Sequence, residues 1–479
     1  MTASPNITRT IFRETAALAE KTALVDESRQ ITYGQLAEAV ACLATALKEA
    51  GVRPLDRVAF LCPDCIDYVL LSLAILSLDA AVVPIAPGLM SDECAVLQKQ
   101  MDVHHVLSIA VEPQSTPPAP AGHTIRNTTC LTRTFLLSAR CPLRLMPDGY
   151  AAINPAFIRF SSGTTGASKG VVLSHATILD RTDAADQGLH ITSADTIGWV
   201  LSMSFHFVVT ILLFLRKGAT IILCGSPMPD ALIDAVHKHP LTVLYASPLH
   251  YRLLALAKTL TPEHFARLRM AVSTAIKLPE AVAQNFHARF GIHLTEAYGI
   301  IEVGLPFIHQ PQTLCYDGRL GKPLPDYALR LAENGEVLIR GKGLFDAYFW
   351  PWQTRESCQP GGWFHTGDLG EISEDGSLTL IGRCKTVINF SGMKIFPQEV
   401  EEVLNQYPEI AESLVFGEPH PEYGQLPSAK LVLKDCAAGL DMTALRAFCR
   451  ARLALHKIPK TFTCVPALEK TASGKIRRS

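Results

Sequence analysis

Hydrophobic residues recur along this chain with two spacings, one typical of helices and the other of strands. The stretch 31–52, ITYGQLAEAVACLATALKEAGV, predicts a short strand followed by an amphipathic helix that ends at Gly51. Runs rich in alanine and β-branched residues at 57–62 and 80–87 predict strands on either side of an apolar helix at 66–78. Such a βαβ unit requires parallel strands, so the pattern predicts an α/β fold.

The pattern changes in the second half of the chain. Strand-like runs at 219–224 and 241–248 continue the alternation of helices and strands. Beyond about residue 310 the turns come closer together and the strands become short, as at 336–341 and 377–383, which predicts a smaller β-rich subdomain. Farther on, helices and strands mix again, and FPQEVEEVLNQYPEI at 396–410 predicts an amphipathic helix.

Composition limits the class of protein without identifying it. The 479 residues exceed one ordinary core, and 48% hydrophobic with 19% charged residues is typical of a soluble globular protein. A net charge of −1 offers no long-range attraction to nucleic acid or to an anionic membrane. Thirteen scattered cysteines favour a reducing compartment, and no signal-peptide pattern opens the sequence. The apolar runs at 68–78 and 207–215 are too short to span a bilayer, so we expect a cytoplasmic protein.

One cysteine pair has the spacing of half a zinc site. Cys62 and Cys65 form a Cys-x-x-Cys motif, but no second pair follows at zinc-site spacing. Both are therefore interpreted as core and loop residues.

The segment 160–175, FSSGTTGASKGVVLSH, has the composition of a phosphate-binding loop. Glycines let backbone N–H groups approach anionic oxygens, serine and threonine add donors, and Lys169 adds a positive charge. It is not a P-loop, because counting from Gly163 puts Gly170 where that motif needs serine or threonine. From these residues alone, a Gly/Ser turn between a strand and a helix at 176–187 remains the alternative.

The same segment resembles the phosphate loop of the adenylate-forming superfamily, which includes acyl- and aryl-CoA ligases, stand-alone adenylation enzymes and firefly-type luciferases. Further motifs of that family follow in the expected order, so the resemblance covers essentially the whole chain. These motifs are ITYGQLA (31–37), AAVVPIAP (80–87), SFHF (204–207), EAYGIIEVG (296–304), GRLGKPLP (318–325), GEVLIRG (335–341), WFHTGDLG (363–370), LIGRCKTVINFSGMKIFPQEVEEVL (380–404) and KTASGKIRRS (470–479).

The resemblance implies an ATP site. The residues implied to hold its phosphates are Ser161, Ser162, Gly163, Thr164, Thr165, Gly166 and Lys169. The residues implied to surround adenine are Glu296, Ala297, Tyr298 and Gly299. Asp368 and Arg383 are implied to bind the ribose, where an acidic group can accept charge-assisted hydrogen bonds from both hydroxyls. Glu302 is implied to bind magnesium, a hard cation that prefers carboxylate oxygen.

The resemblance also implies two half-reactions. In the first, a carboxylate attacks the α-phosphorus of ATP, and Lys475 is implied to offset the charge that develops there. His206 matches the family position beside the substrate carboxylate. For the second, family members rotate the C-terminal domain about a hinge that falls here on Lys385. The residues implied to line the thiol channel are Ser391, Gly392 and Lys394.

Substrate recognition is less closely defined by the motifs. The residues predicted to line the acyl pocket are His206, Phe207, Val208, Tyr245, Ser273, Gly299, Ile300 and Gly304, although several of these apolar residues could equally pack in the core. Relatives that activate amino acids place an aspartate where His206 stands, so α-amino acids are disfavoured here, because their buried ammonium would be unpaired.

Three further departures from the family pattern are visible. Ile301 replaces a threonine whose hydroxyl binds phosphate in the family, and the turn that faces adenine, usually rich in glycine and alanine, reads STAIK at 273–277. The segment between His206 and Gly218 is also shorter than the family pattern leads us to expect. These departures bear on efficiency and substrate more than on the class of reaction.

The sequence therefore predicts an α/β protein: a large N-terminal domain of helix-covered sheets with a β-rich subdomain, residues 1–384, and a small mobile α+β domain, residues 385–479. The expected function is activation of an aryl or short- to medium-chain acyl acid to an acyl-adenylate, then transfer to a thiol. ATP, Mg²⁺ and either CoA or the phosphopantetheine of a carrier protein are the expected cofactors and partners. A non-catalytic ATP- or AMP-binding regulatory protein and an adenylate-dependent oxygenase remain alternatives.

Overall fold

The structure of the protein is a computed structural model. It describes residues 5–86, 91–110, 122–125, 130–141, 146–161, 169–225, 227–311, 318–390, 393–420, 423–434, 439–470 and 475–478. The chain divides into two compact units, a larger one of residues 1–328 with 340–364 and a smaller one of residues 329–339 with 365–479.

Helices and strands alternate through most of the chain. The α-helices are α1 (Ile7–Glu14), α2 (Tyr33–Glu49), α3 (Ile66–Ser77), α4 (Ser91–Gln100), α5 (Tyr150–Ile153), α6 (His175–Leu189), α7 (Met203–His206), α8 (Leu212–Arg216), α9 (Asp230–Lys238), α10 (Pro248–Leu256), α11 (Glu280–Phe290), α12 (Arg355–Cys358), α13 (Pro397–Leu404) and α14 (Met442–Arg450). Shorter helical turns of 3-10 or π geometry are Ala16–Leu18, Phe207–Ile211, Pro262–Phe265, Pro360–Gly362 and Cys384–Thr386.

The strands of the first half are β1 (Thr22–Val25), β2 (Gln30–Thr32), β3 (Arg57–Leu61), β4 (Ala81–Ile85), β5 (His105–Ile109), β6 (Gly122–Ile125), β7 (Phe135–Ser138), β8 (Pro155–Ser161), β9 (Lys169–Ser174), β10 (Thr196–Trp199), β11 (Thr220–Leu223) and β12 (Val243–Ala246). Those of the second half are β13 (Met270–Ser273), β14 (Leu294–Ile300), β15 (Gly304–His309), β16 (Arg319–Gly321), β17 (Tyr327–Leu331), β18 (Glu336–Gly341), β19 (Ala347–Tyr348), β20 (Gln353–Thr354), β21 (Phe364–Ile372), β22 (Leu378–Arg383), β23 (Ile388–Phe390), β24 (Met393–Ile395), β25 (Ile410–His420), β26 (Gly424–Leu433) and β27 (Thr461–Cys464).

Two mixed sheets organise the larger unit. Within its described residues, one has the order β15-β14-β13-β12-β10-β11-β1-β2 and the other the order β20-β19-β9-β8-β4-β3-β5-β7-β6. The inner strands of the first sheet pair in parallel, whereas β2 and β15 are antiparallel edge strands. The α/β prediction is confirmed.

The predicted βαβ unit is confirmed by β3, α3 and β4. The two strands pair in parallel, with Arg57 opposite Ala81. The helix is buried on every side from Ile66 to Leu76, which explains its almost uninterrupted apolar sequence. Among the helices that the structure describes, none is both long and apolar enough to cross a membrane.

The smaller unit contains two sheet regions. Strands β22, β21, β18 and β17 are adjacent in that order. A second sheet has the order β24-β23-β26-β25, with β27 paired to β26. Its apolar side packs with α13 and α14 around a core that includes Ile395, Val400, Leu431 and Leu445.

One local prediction was wrong. The helix expected over 396–410 ends at Leu404, and β25 begins at Ile410. Pro408 accounts for this, because it disfavours helical geometry at the residue before it and lacks the N–H that a helix would use. The phosphate segment leads from β8 into the antiparallel strand β9, and α6 follows only after that strand.

Candidate active site

The strands that flank the phosphate segment place Lys169 beside an aromatic ring. Ser161 of β8 lies opposite Lys169 of β9 in the antiparallel register. The Lys169 Nζ atom lies 4.5 Å from the centroid of the Tyr348 ring, a cation–π distance. Five of the predicted phosphate ligands, Ser162, Gly163, Thr164, Thr165 and Gly166, lie outside the described residues, and Ser161 is described only as backbone.

Tyr348 connects this lysine to the predicted metal ligand. Its hydroxyl donates a long hydrogen bond of 3.4 Å to Oε1 of Glu302. Burial raises the pKa of Glu302, while the nearby charges of Arg159 and Arg181 act in the opposite direction. The arrangement brings together a cation, a phenol and a carboxylate in the larger unit, which are groups suited to a polyphosphate and its counterion.

A buried arginine fixes the turn that carries Glu302. Arg181 of α6 donates hydrogen bonds to the carbonyl oxygens of Ile301 at 2.6 Å and of Glu302 at 3.0 Å, and also to that of Gly343. The carbonyl oxygens of Ile301 and Glu302 therefore both accept hydrogen bonds from a charged donor. Burial lowers the pKa of Arg181 to about 10, so it remains a cation at neutral pH.

The predicted adenine-binding residues occupy the end of β14. The Thr274 hydroxyl donates to the carbonyl oxygen of Ala297 at 2.9 Å, and Oε1 of the buried Glu296 accepts from the backbone N–H of Leu278 at 3.2 Å. These bonds tie the STAIK turn to β14, so the departure from the family pattern is accommodated in a hydrogen-bonded loop.

Tyr298 and Gly299 follow on the same strand. The Tyr298 ring packs edge-on against Phe307, with 6.0 Å between centroids, and remains partly exposed. A Cβ atom at Gly299 would lie 2.5 Å from the carbonyl oxygen of Gly304, so a side chain is excluded there by backbone. This close approach accounts for the glycine at 299, whereas Gly304 has a φ of +100°, in the left-handed region that favours glycine.

His206 ends helix α7 in the segment predicted to face the acyl group. The helix begins where the backbone N–H of Met203 donates to Oδ1 of Asp64 at 2.8 Å. The His206 ring packs edge-on against Trp199 at 6.3 Å between centroids, and Trp199 stacks on Tyr245 at 5.3 Å. These rings connect β10 and β12 to α7.

Most of the other predicted pocket residues are buried. Phe207 packs against Tyr68 and Phe157, with centroid distances of 5.5 and 6.4 Å. Val208, Tyr245 and Ser273 are also buried, whereas Ile300 is partly exposed. The packing of Phe207 follows the core alternative, and a lining role for this set stays a prediction.

Asp368 and Arg383, the predicted ribose ligands, lie in the smaller unit. They are direct partners across β21 and β22, and Arg383 Nε lies 2.7 Å from Asp368 Oδ1. The Asp368 side chain is largely buried and the Arg383 side chain partly exposed. The sequence motifs placed these residues fifteen positions apart, and the hairpin makes them one charged pair.

Lys475 is exposed on a segment that is anchored within the smaller unit. Arg478 Nη1 donates a hydrogen bond to Glu401 Oε1 at 2.9 Å, and the Lys470 Nζ atom lies 2.6 Å from a carboxylate oxygen of Glu412. The backbone of Lys470 also forms an isolated antiparallel β-bridge with that of Ile476. The flanking charges therefore make specific pairs, unlike those of a fully solvated basic tail.

The predicted hinge and thiol channel lie earlier in the same unit. Lys385 is exposed in the 3-10 turn Cys384–Thr386, between β22 and β23. Lys394 is paired by its backbone with Asn389, and Ser391 and Gly392 lie outside the described residues. Neither role is tested by this geometry.

Sequence reasoning missed three residues of the site, Arg159, Arg181 and Tyr348. A signal was available for the first, because Arg159 interrupts the apolar run AFIRF directly before the phosphate segment. Arg181 and Tyr348 come from distant parts of the chain, and their contacts with the Glu302 turn depend on tertiary packing.

Comparisons with known proteins agree with the motifs. The family described as AMP-binding enzyme matches residues 11–349, and the AMP-binding enzyme C-terminal domain matches residues 399–475. A Mycobacterium tuberculosis CoA ligase for a methyl-dioxo-octahydroindenyl propanoyl group is 30% identical, with 96% of this chain and 95% of the relative covered. The 3-hydroxybenzoate–CoA ligase of an Aromatoleum species is 28% identical, covering 96% and 93%.

Solved structures show the same fold. A benzoate CoA ligase from Burkholderia xenovorans has a TM-score of 0.80 at 25% identity, with 98% of each chain covered. The o-succinylbenzoate CoA synthetase of Bacillus subtilis has a TM-score of 0.83 at 21% identity, covering 99% of this chain and 97% of its own. With both the main and the C-terminal family matches in the expected order, the chain belongs to the AMP-binding enzyme family.

Proposed function

We propose that this protein activates a carboxylic acid with ATP to an acyl-adenylate, releases pyrophosphate, and transfers the acyl group to the thiol of CoA. The family match across both units carries the proposal, together with the cluster of Lys169, Tyr348 and Glu302. The relatives named above are CoA ligases or synthetases, so the regulatory and oxygenase alternatives gain no support from them.

The first step joins two anions, and the described residues of the larger unit suit that task. Lys169 would bind the polyphosphate of ATP, and Tyr348 would orient the Glu302 carboxylate. Glu302 would hold Mg²⁺, which typically binds through one or two carboxylates and substrate phosphates and would neutralise phosphate charge there. Lys475 would stabilise the charge that develops as the carboxylate oxygen attacks the α-phosphorus and pyrophosphate leaves.

In the second step the CoA thiolate would attack the acyl carbonyl carbon and displace AMP. CoA is the proposed acceptor because the ligases named above are CoA enzymes. The phosphopantetheine thiol of a carrier protein has the same chemistry, so the acceptor assay needs both thiols. The acid itself would be an aryl or short- to medium-chain acyl acid, since His206 offers no carboxylate to pair with a substrate ammonium.

Exchange of radioactive pyrophosphate into ATP tests the first step across a panel of aryl, fatty and amino acids. We expect exchange with at least one aryl or acyl acid, followed by thioester formation when CoA is added. A proteinogenic amino acid that supports faster exchange than every other acid would contradict the proposed substrate class. Adenylate formation without transfer to CoA, but with transfer to a holo-carrier protein, would replace the proposed acceptor.

A further inference from the structure

Arg159 is a cation within the apolar strand β8. It shares a face of the strand with Phe157, since side chains two positions apart point the same way, and Phe157 packs against Phe207. Arg159 Nη1 donates a hydrogen bond to the carbonyl oxygen of Phe205, and its guanidinium carbon lies 5.4 Å from the centroid of the Phe205 ring. The strand therefore directs this cation under the helix that ends at His206.

Among the described residues, no carboxylate lies within ion-pair distance of the Arg159 guanidinium. Its Nε–H is shielded from solvent, and no described group accepts a hydrogen bond from it. Burial lowers the pKa of Arg159 to about 10, and the nearby Glu302 carboxylate only partly opposes this effect. A guanidinium held this way is stabilised when an anion reaches its remaining donors.

Two neighbouring residues indicate which anion would bind to Arg159. Phe205 directly precedes His206, the residue predicted to lie beside the substrate carboxylate, and Glu302 is the predicted metal ligand. At position 301 of the adjoining turn, isoleucine stands where the family has a donor hydroxyl. Arg159 thus supplies donors near the place where the acid and ATP would meet.

We propose that Arg159 binds the carboxylate of the acid substrate and positions it for attack on the α-phosphorus. The proposal rests on the proposed function for its chemistry, but the binding it describes can be measured separately. A guanidinium offers parallel N–H donors that match the two carboxylate oxygens, so it would fix the orientation of the acid as well as its charge.

Calorimetry with two matched ligand pairs tests this role. Benzoate with benzamide, and hexanoate with hexanamide, are titrated into enzyme saturated with α,β-methylene-ATP, which cannot react at the α-phosphorus. Arg159→Met should weaken binding of the acid by about tenfold or more and change that of the neutral amide by less than about twofold. Arg159→Lys should restore part of the acid affinity, and Arg267→Met, at an exposed arginine, should behave as wild type.

Three results would overturn the role of Arg159. These are equal losses for acid and amide, lost affinity for α,β-methylene-ATP with unchanged acid affinity, and no preference of wild-type enzyme for either acid over its amide. Failure of pyrophosphate exchange with every acid would instead overturn the proposed function. Circular dichroism of Arg159→Met and Arg159→Lys shows whether each variant is folded.

A second, independent observation concerns Cys62 and Cys65. Cys62 directly follows β3, Cys65 is the N-cap of α3, and their sulfur atoms lie 4.0 Å apart. The Cys65 thiol also receives a hydrogen bond of 3.2 Å from Arg133 Nη1. The Cys62 thiol lowers the pKa of Cys65, whereas the pKa of Cys62 itself is raised, so the two sulfurs differ as nucleophiles.

The loop between the two cysteines reaches the acyl segment. Asp64 accepts the hydrogen bond from the backbone N–H of Met203 that begins helix α7, the helix that ends at His206. We infer that Cys62 and Cys65 form a reversible disulfide whose formation shifts Asp64 and alters binding of the acid. With a low-molecular-weight disulfide as oxidant, the Cys65 thiolate would form a mixed disulfide and release one thiolate. The Cys62 thiol would then displace the second thiol, so that one disulfide is exchanged for another.

Peptide mapping after incubation with oxidised glutathione tests the disulfide. We expect a Cys62–Cys65 crosslink in wild type, reversed by dithiothreitol, and a change of about threefold or more in the KM of the acid, with the KM of ATP unchanged. The change should be absent in Cys62→Ser and Cys65→Ser and present in Cys42→Ser, which removes an exposed thiol. Absence of the crosslink would overturn the inference, and a crosslink without a kinetic effect would overturn its coupling to the acid site.

Discussion

Arg383 and Asp368 face each other across an antiparallel hairpin, with Arg383 Nε 2.7 Å from Asp368 Oδ1. The Asp368 side chain is only 6% exposed, so its carboxylate depends on this arginine more than a surface carboxylate would. The two predicted ribose ligands therefore form one electrostatic unit. In the predicted ribose site, loss of either partner would therefore change the charge that the other presents.

Asp368→Asn and Arg383→Met should each raise the KM of ATP in pyrophosphate exchange by roughly tenfold, since each removes a charge-assisted contact. The double variant should be less impaired than the sum of the two free-energy changes predicts, because the first substitution already disrupts the pair. Steady-state kinetics of the four proteins gives the coupling. Strict additivity would show that the two side chains bind ATP independently.

Periodicity predicted the parts of the fold that depend on local sequence. The unit of β3, α3 and β4 could be predicted because short apolar runs indicate buried strands and a longer apolar run indicates a buried helix. Motif order predicted the family, which the comparisons confirm. What periodicity could not reveal was pairing between distant segments, such as the antiparallel pairing of β9 with β19, in which Val172 lies opposite Ala347.

The site shows the same division between local and long-range information. Glu302 was identified from its motif, but its contact with Tyr348 and the bonds of Arg181 to its turn depend on chain segments far apart in sequence. The sequence also did not predict an unusual backbone conformation in the turn that faces adenine in the family. Ala275 has φ of +77° in the STAIK turn, a region that favours glycine, and nothing in the residue types indicates it.

Ile301→Thr should leave the rate of pyrophosphate exchange unchanged or raise it. The turn itself should persist, because Arg181 binds the carbonyl oxygen of residue 301 at 2.6 Å and does not depend on its side chain. The new hydroxyl would add a donor toward the α-phosphate. Ile301→Val is the matched control, since valine has the shape of threonine without its hydroxyl, and it should match wild type.

A fall of about tenfold in exchange for Ile301→Thr, with normal folding, would show that Ile301 serves packing or contact with the acid. The same fall in both variants would assign the effect to the lost methylene. A fall in the threonine variant alone would assign it to an unsatisfied hydroxyl.

Stability should fall between about pH 6.5 and 4 because of His175. This fully buried side chain accepts a hydrogen bond at Nδ1 from the backbone N–H of Ile7, and burial lowers its pKa to about 4, with Asp79 opposing the shift. In that range the unfolded chain binds a proton that the folded chain excludes. Above the pKa of His175 in the unfolded chain, this group therefore does not reduce the free energy of unfolding. As the pH falls from there to 4, the free energy of unfolding decreases by about 3 kcal/mol.

Urea unfolding of wild type and His175→Asn across this range measures the effect. Asparagine retains an acceptor for Ile7 but does not titrate, so the stability difference between the two proteins should narrow as the pH falls. His123→Gln, at an exposed histidine, should keep the wild-type dependence. A constant difference between wild type and His175→Asn from pH 7 to pH 4 would assign the loss of stability to other groups.

Lys475→Ala should slow adenylation by about 10²–10³-fold while sparing thioester formation from a supplied acyl-adenylate, because the predicted role of this cation is confined to the first half-reaction.

Lys385→Pro should do the reverse, slowing thioester formation while sparing adenylation. Proline fixes φ at the predicted hinge, an exposed position in a short turn, and this should block a change of orientation more than it disturbs the first state. Rapid-quench measurement of each half-reaction separates the two variants, with Lys434→Ala and Lys385→Ala as controls for loss of a lysine alone. Equal slowing of both steps by Lys475→Ala, or normal thioester formation in Lys385→Pro, would rule out a mechanism in which the two residues serve different steps.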